Sequence, residues 1–261
     1  MIVVKYGGNA MRDENGDFSR AIADAIADGI EIVIVHGGGP QINEALDSKG
    51  IKSHWMGGLR VTTPETFQVV EEVLVENVGP SLVASLNIAG VNAQSISGRA
   101  LPTLLAERMT VEIDGNKRDV GLVGEITRVD PTHVFELLKG GITPVIAPIS
   151  SSEDGLIGYN VNADFAAAAV ASALQASTLI MMTDVSGIYR NWPDKNSLIS
   201  EISMAELKEI KSTFSDGMRP KVQATLDALS YGVKSVRIID GTESQSFSQA
   251  LAGNGGTLVT S

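Results

Sequence analysis

The sequence predicts an α/β fold built on a mostly parallel sheet. Three observations predict it. Ile2 to Lys5 is a short apolar strand, Phe18, Ala21, Ile22, Ala25 and Ile26 recur at helical spacing, and Ile30 to Val35 is a β-branched run, so residues 2–35 read as a β-α-β unit. Such a unit implies a parallel pair with a right-handed crossover. Further apolar runs at 144–149, 178–182 and 236–240 alternate with helical patterns. Glycine-bearing turns follow several of these strands, at the carboxyl edge where open α/β sheets bind ligands.

A chain of 261 residues with 43% apolar content fits one large α/β unit with an ample core. The formal net charge of −11 argues against nucleic acid and anionic membrane surfaces as partners. A locally basic pocket for a small anion stays compatible with it. There is no cysteine, hence no disulfide framework, thiol nucleophile or Cys-based metal site. His36, His54 and His133 show no metal-ligand spacing. No signal peptide and no 18-residue apolar run is found, so a cytoplasmic protein is expected.

The first strand leads into Lys5-Tyr6-Gly7-Gly8-Asn9. A lysine there can be a surface residue at a strand exit or a cation aimed at phosphates. The helix at 18–28 ends at Gly29, and the second strand runs into His36-Gly37-Gly38-Gly39-Pro40. Three glycines let backbone approach a ligand, and Pro40 suits the first position of the following helix, whose free N–H groups favour an anion. A tight turn without a ligand fits the same residues. After Gly50 comes Gly57-Gly58-Leu59-Arg60-Val61-Thr62, where Arg60 is either solvated or a two-pronged clamp for a carboxylate.

Residues 64–76 and 80–89 read as two helices, and 91–96 as a strand. Alternation between 109 and 129 around Asp114-Gly115-Asn116 predicts a hairpin. A helix over 131–139, a buried strand over 144–149 and a loop over 150–159 follow. Asn160, Asn162 and Asp164 precede an alanine-rich helix. One of them would suffice as a cap, so the surplus suggests a site. The strand at 178–182 ends in Thr183-Asp184-Val185-Ser186-Gly187-Ile188-Tyr189. A short helix includes 207–210, and Thr213 to Lys221 opens another that runs to about Tyr231. Lys221 in its first turn opposes the helix dipole, which is better explained if it faces an anion. A strand at 236–240 and an edge strand at 256–259 complete the chain.

These motifs, in this order, resemble the amino acid kinase superfamily and within it the acetylglutamate kinases. The resemblance covers essentially the whole chain and rests on residues 4–11, 35–40, 58–62, 160–164, 183–187, 215–218 and 220–221. The stretch 189–201 looks most like actinobacterial members. The resemblance implies a three-layer αβα sandwich of the carbamate kinase-like kind. One domain would hold an acyl-binding lobe over about 1–160 and a nucleotide-binding lobe over about 161–261.

The implied reaction is ATP-dependent phosphorylation of the γ-carboxylate of N-acetyl-L-glutamate, on the route to arginine. A carboxylate is already ionised at neutral pH, so the step needs no general base. It needs positive charge and alignment of two anions. By resemblance Lys5 contacts the transferred phosphoryl group, Lys221 the ATP phosphates, and Asp164 holds both lysines. Gly8, Gly38 and Gly39 offer N–H groups to the phosphoryl group and the carboxylate. Arg60 and Asn160 bind the acyl substrate. Gly7 and Gly8, the segment Asp184, Val185, Ser186, Gly187, Ile188 and Tyr189, and Thr213, Phe214 and Ser215 lie on the nucleotide side. Magnesium arrives with ATP.

Family members usually carry a Gly-x-Asp-Gly segment near residue 97; here the residues are Ser97-Gly98-Arg99-Ala100-Leu101-Pro102, and no role is carried over. The first strand begins almost at Met1, without the additional N-terminal helix of arginine-inhibited hexamers, so a homodimer is expected. Arg219 receives no reading. A kinase for carrier-linked 2-aminoadipate would need a basic docking face, against which the charge speaks. A silent ligand-binding relative would be expected to have lost Lys5, Asp164 or Lys221.

Overall fold

The structure is a computed structural model that describes residues 1–7, 15–214 and 217–261. Strands β1 (Ile2–Tyr6) and β2 (Ile32–His36) pair in parallel across α1 (Asp17–Ala27), as the β-α-β pattern requires. α2 (Gly39–Ser48) follows with Pro40 in its first turn, where a missing N–H costs nothing. A small antiparallel hairpin, β3 (Trp55–Met56) and β4 (Leu59–Arg60), leads to α3 (Pro64–Glu71), capped by the Thr63 hydroxyl. A π-helical segment, Glu72–Val78, joins α3 directly to α4 (Gly79–Ile88). The sequence predicts two separate helices here. Pro80 has no N–H to donate, and its ring would press on the carbonyl four residues back. The wider π turn before it accommodates both, so the helix continues.

β5 (Ala93–Ser97) is followed by the long antiparallel pair β6 (Leu104–Ile113) and β7 (Asn116–Val129), then α5 (Thr132–Lys139) and β8 (Thr143–Ala147). The hairpin extends beyond its predicted bounds because β9 (Ile149–Ser151) and β10 (Gly158–Asn160) close a small sheet with it. The apolar run at 144–149 is therefore divided. Pro148 cannot donate to a ladder, and the chain changes sheets there. The loop expected at 150–159 likewise contains strand ends.

The second half contributes α6 (Ala163–Ala173), β11 (Thr178–Thr183), β12 (Glu201–Ser203), α7 (Met204–Ile210) and α8 (Arg219–Ser230). It ends with β13 (Ser235–Asp240), α9 (Ser246–Leu251) and β14 (Thr257–Thr260). The main sheet has the order β12-β14-β13-β11-β1-β2-β8-β5. Its neighbours are parallel except β13 and β14. The last strand is thus not at the edge, as the sequence predicts: β12, too short to show a pattern, pairs on its outer side.

Alternate residues of the central strands feed two cores. Val3, Val33 and Val35 pack with α5, α6 and α8 residues such as Leu137, Ala167 and Val222. Val4, Ile32 and Ile34 pack on the opposite face with Ile22 of α1, Leu86 of α4 and Phe247 of α9. The result is a three-layer αβα sandwich. β1 is central, flanked by β2 and β11, with Lys5 in register with Val35 and Met181. The carboxyl ends of all three strands therefore open onto one place.

Candidate active site

Lys5 sits next to the end of β1 and is only 6% exposed. Its Nζ lies 3.0 Å from Asp164 Oδ1, and Lys221 Nζ lies 3.0 Å from Asp164 Oδ2. One carboxylate thus holds two ammonium groups, one delivered by the sheet and one by a helix. The local sequence explains the placement. Asn162 is the N-cap of α6, its side chain accepting from the Asp164 and Phe165 N–H groups. The capping duty is met, and the Asp164 carboxylate is free to face the lysines. Asp164 lies in the first turn of α6, where the dipole favours an anion, whereas Lys221 lies in the first turn of α8, where it is unfavourable. The ion pair compensates for that placement.

Burial on its own would raise the Asp164 pKa, but the neighbouring Lys5 and Lys221 overcome it and hold the carboxyl at about 2. Burial pushes the Lys5 ammonium below the ordinary lysine value, against the opposing pull of Asp164, and Lys221 adds to the lowering. An additional anion beside Lys5 would relieve this.

Two cavities meet at the lysine pair. The larger, about 830 Å³, is lined by Lys5, Gly7 and Lys221 together with Asp184, Val185 and Tyr189 after β11 and Thr213 and Phe214 before α8. The smaller, about 230 Å³, is lined by Lys5, Lys221 and Asp164 with Gly38, Gly39, Arg60 and Asn160. Its walls are tight: a Cβ on Gly38 would stand 2.6 Å from Leu74 Cδ2, so that buried side chain would have to shift to admit one. Arg60 is 6% exposed and held on three sides. Its Nη2 donates to Asn43 Oδ1 at 2.7 Å, its Nη1 donates to Ser53 Oγ, and its guanidinium lies 4.6 Å from the Trp55 ring centre. Asn160 Nδ2 donates to Thr62 Oγ1 at 3.1 Å, and that hydroxyl donates to the Arg60 carbonyl at 2.9 Å. A cationic fork is therefore fixed before any ligand arrives.

Most residues expected from the sequence lie on these two walls. Three do not. Ser186 lines a separate depression with Asp240 and Gln249. Gly187 packs on Thr257, and Ile188 is fully buried, its N–H donating to Thr257 Oγ1 at 2.8 Å. The strand-end motif turns through the core there, so only Thr183, Asp184, Val185 and Tyr189 of it reach the larger cavity. Gly8 and Ser215 lie outside the described residues. Conversely, Arg190, Asn191, Trp192, Gly217 and Met218 line the larger cavity and were not singled out as its residues. The exposed Trp192 beside Tyr189 is the signal that could have found this wall. No sequence signal marks Asn43 or Ser53. Arg219, unread in the sequence, donates from Nε to the Phe214 carbonyl at 2.8 Å, tying the start of α8 to Phe214. Arg99, in the departing loop, pairs with Glu71 at 2.8 Å, away from both cavities.

The arrangement can take a nucleotide-sized anion on one side and a small carboxylic acid on the other, with two cations between them. The pattern of the amino acid kinase family matches residues 1–240. An acetylglutamate kinase of Corynebacterium urealyticum is 45% identical, over 100% of this chain and 87% of its own length. One from a Nocardioides species is 47% identical, over 93% of this chain and 78% of its own. In shape, the chain is similar to the N-acetylglutamate synthase of Neisseria gonorrhoeae crystallised with coenzyme A and N-acetyl-glutamate, with a TM-score of 0.85 and 27% identity. It covers 100% of this chain, which spans 59% of that synthase. The chain belongs to the amino acid kinase family, alongside the acetylglutamate kinases.

Proposed function

We propose that the protein transfers the γ-phosphoryl group of ATP to the γ-carboxylate of N-acetyl-L-glutamate, giving N-acetyl-L-glutamyl 5-phosphate and ADP. The observation that carries the reading is Asp164 holding Lys5 and Lys221 at 3.0 Å each, where a large and a small cavity meet.

In this reading a γ-carboxylate oxygen attacks the γ-phosphorus and the bond to the β–γ bridging oxygen breaks, with no proton to move. Lys5, reaching both cavities, neutralises the phosphoryl oxygens in flight. Lys221 approaches from the nucleotide side and offsets charge growing on the leaving ADP. Asp164 positions both without touching the reacting atoms. Gly38 and Gly39 offer N–H groups to the phosphoryl group and the carboxylate. Arg60 clamps the α-carboxylate, and Asn160 orients the acetylated amine. Gly7, Asp184, Val185, Tyr189, Thr213 and Phe214 surround the nucleotide. Magnesium arrives on ATP and offsets phosphate charge; the described residues gather no group of three acidic or imidazole ligands to hold an ion of their own. The chain then divides by task near residue 160, acyl substrate mainly before and nucleotide mainly after, with Lys5 and Gly7 also facing the nucleotide side. We extend the reading to a homodimer, for which β5 offers an edge paired only by β8 among the described strands.

The test traps the acylphosphate with hydroxylamine, in MgATP, for N-acetyl-L-glutamate, L-glutamate, L-aspartate and N-acetyl-L-2-aminoadipate. Hydroxamate confined to N-acetyl-L-glutamate is the expected result. Turnover of another acid alone would keep the chemistry and overturn the substrate.

A further inference from the structure

His36 closes β2 and is completely buried. Its Nδ1 lies 2.9 Å from the carbonyl oxygen of the next residue, Gly37. A carbonyl oxygen only accepts, so Nδ1 carries the proton and donates. Nε2 is then a bare lone pair, buried without a hydrogen-bond partner among the described residues, and a Cβ on Gly79 would stand 3.2 Å from it. Charging this ring would bury a second N–H with nowhere to donate. Burial accordingly pushes its pKa down to about 4. The ring is a fixed neutral donor, not an acid or base of the reaction.

What it holds is the most pliable part of the site. Three consecutive glycines have no side chains to define their path. A planar trans peptide points its C=O and the following N–H in opposite directions. The Gly37 carbonyl is drawn to the buried ring, so the Gly38 N–H faces the other way. The groups around it are already used: the Gly37 N–H donates to the Tyr6 carbonyl at 2.7 Å, and the Gly38 carbonyl accepts from the Ile42 N–H at 2.8 Å. The Gly38 N–H has no partner among the described residues. Gly37, Gly38 and Gly39 line the smaller cavity beside Lys5.

We infer that His36 is a positioning residue for phosphoryl transfer: its Nδ1–H pins the Gly37 carbonyl and so aims the Gly38 N–H at the transferring phosphoryl group beside Lys5. This rests on the phosphoryl-transfer reading of the site and adds the device that keeps its glycine turn in one conformation.

The test compares His36→Asn, His36→Gln and His36→Leu. An asparagine amide can place an N–H where Nδ1 stands; glutamine places it farther out, and leucine has none. Two quantities are read: kcat and KM with the acid that the wild type turns over, and the tightening of MgADP binding by aluminium fluoride, a mimic of the transferring phosphoryl group. The second needs no knowledge of the acceptor, so failure of the assigned substrate leaves it intact. His36→Asn is expected within about 3-fold of wild type in kcat, while His36→Gln and His36→Leu lose roughly 10- to 100-fold, with KM values for both substrates within about 3-fold, as for a misaimed oxyanion donor. The aluminium fluoride effect should persist in His36→Asn and vanish in His36→Gln. A purely packing role would lower the thermal midpoint of all variants and leave kcat per folded molecule unchanged. Should His36→Leu fail to fold, the Asn and Gln pair decides. Equal kcat in those two, or no tightening of MgADP in the wild type, overturns the proposal.

Discussion

The two cavities that meet at Lys5 and Lys221 are built in different ways. The larger is walled mainly by chain between elements: Asp184, Val185 and residues 189–192 after β11, and Thr213, Phe214, Gly217 and Met218 before α8. The smaller is walled by strand ends, helix starts and buried side chains that already have partners, as the Arg60 bonds to Asn43 and Ser53 show. A loop-built wall can adjust to a ligand with many rotatable bonds, at the cost of ordering on binding. A pre-held wall discriminates by geometry, because a ligand that mismatches leaves buried polar groups unpaired. Selection of the small acid is therefore expected to be strict and that of the nucleotide more permissive.

Removing what the cavities share should erase the difference between them. Lys5→Ala and Lys221→Ala are each expected to lower kcat by about 10³-fold with KM for ATP within a few-fold, since those contacts strengthen as charge moves in the transition state. Steady-state kinetics checks this. A fall in affinity alone would mean the lysines only bind.

Acid sharpens the contrast in a second way. His36, behind the small cavity, is held below its unfolded value of 6.5, at about 4. Its stabilising effect is complete above pH 6.5 and is lost as pH falls toward 4, a loss of about 3 kcal/mol at most. Asp164 is held at about 2 against 3.8 unfolded, so its contribution persists above pH 3.8 and disappears as pH falls toward 2. Urea melts across pH should show two successive declines, and His36→Asn should remove the first.

Smaller changes should separate the cavities. Arg60→Lys keeps charge but loses the fork, and KM for the acid should rise about 10-fold or more while that for ATP stays within 2-fold. Trp192→Ala should do the reverse and more weakly, raising KM for ATP about 3- to 10-fold with the acid unaffected. Equal response of both KM values to Arg60→Lys would show that the cavities are not independent.

The order of the larger elements and the placement of Lys5 at a strand end and of Asp164 at a helix start were legible because each leaves a local mark. Lys5 follows an apolar strand directly, and Asp164 is one polar residue more than a cap needs. The π turn before Pro80, the division at Pro148 and the interior place of β14 were not legible. Each depends on what a distant segment does, as with β12 covering β14. The same limit applies to the site. Ile188 looks like part of a ligand loop, yet its N–H is spent on Thr257, 69 residues away. His36 reads only as the residue that opens the glycine turn, without metal-ligand spacing, until the ring is seen buried against Gly37.

The lysine pair sits deep, with Lys5 only 6% exposed, in a chain whose formal net charge is −11. Beyond a Debye length of about 8 Å an approaching nucleotide meets the overall negative field and not the buried cations. Capture of its anionic ligands is then a repelled encounter followed by an attractive final step. Moderate salt should speed ATP association, the opposite of enzymes that steer substrates with surface charge.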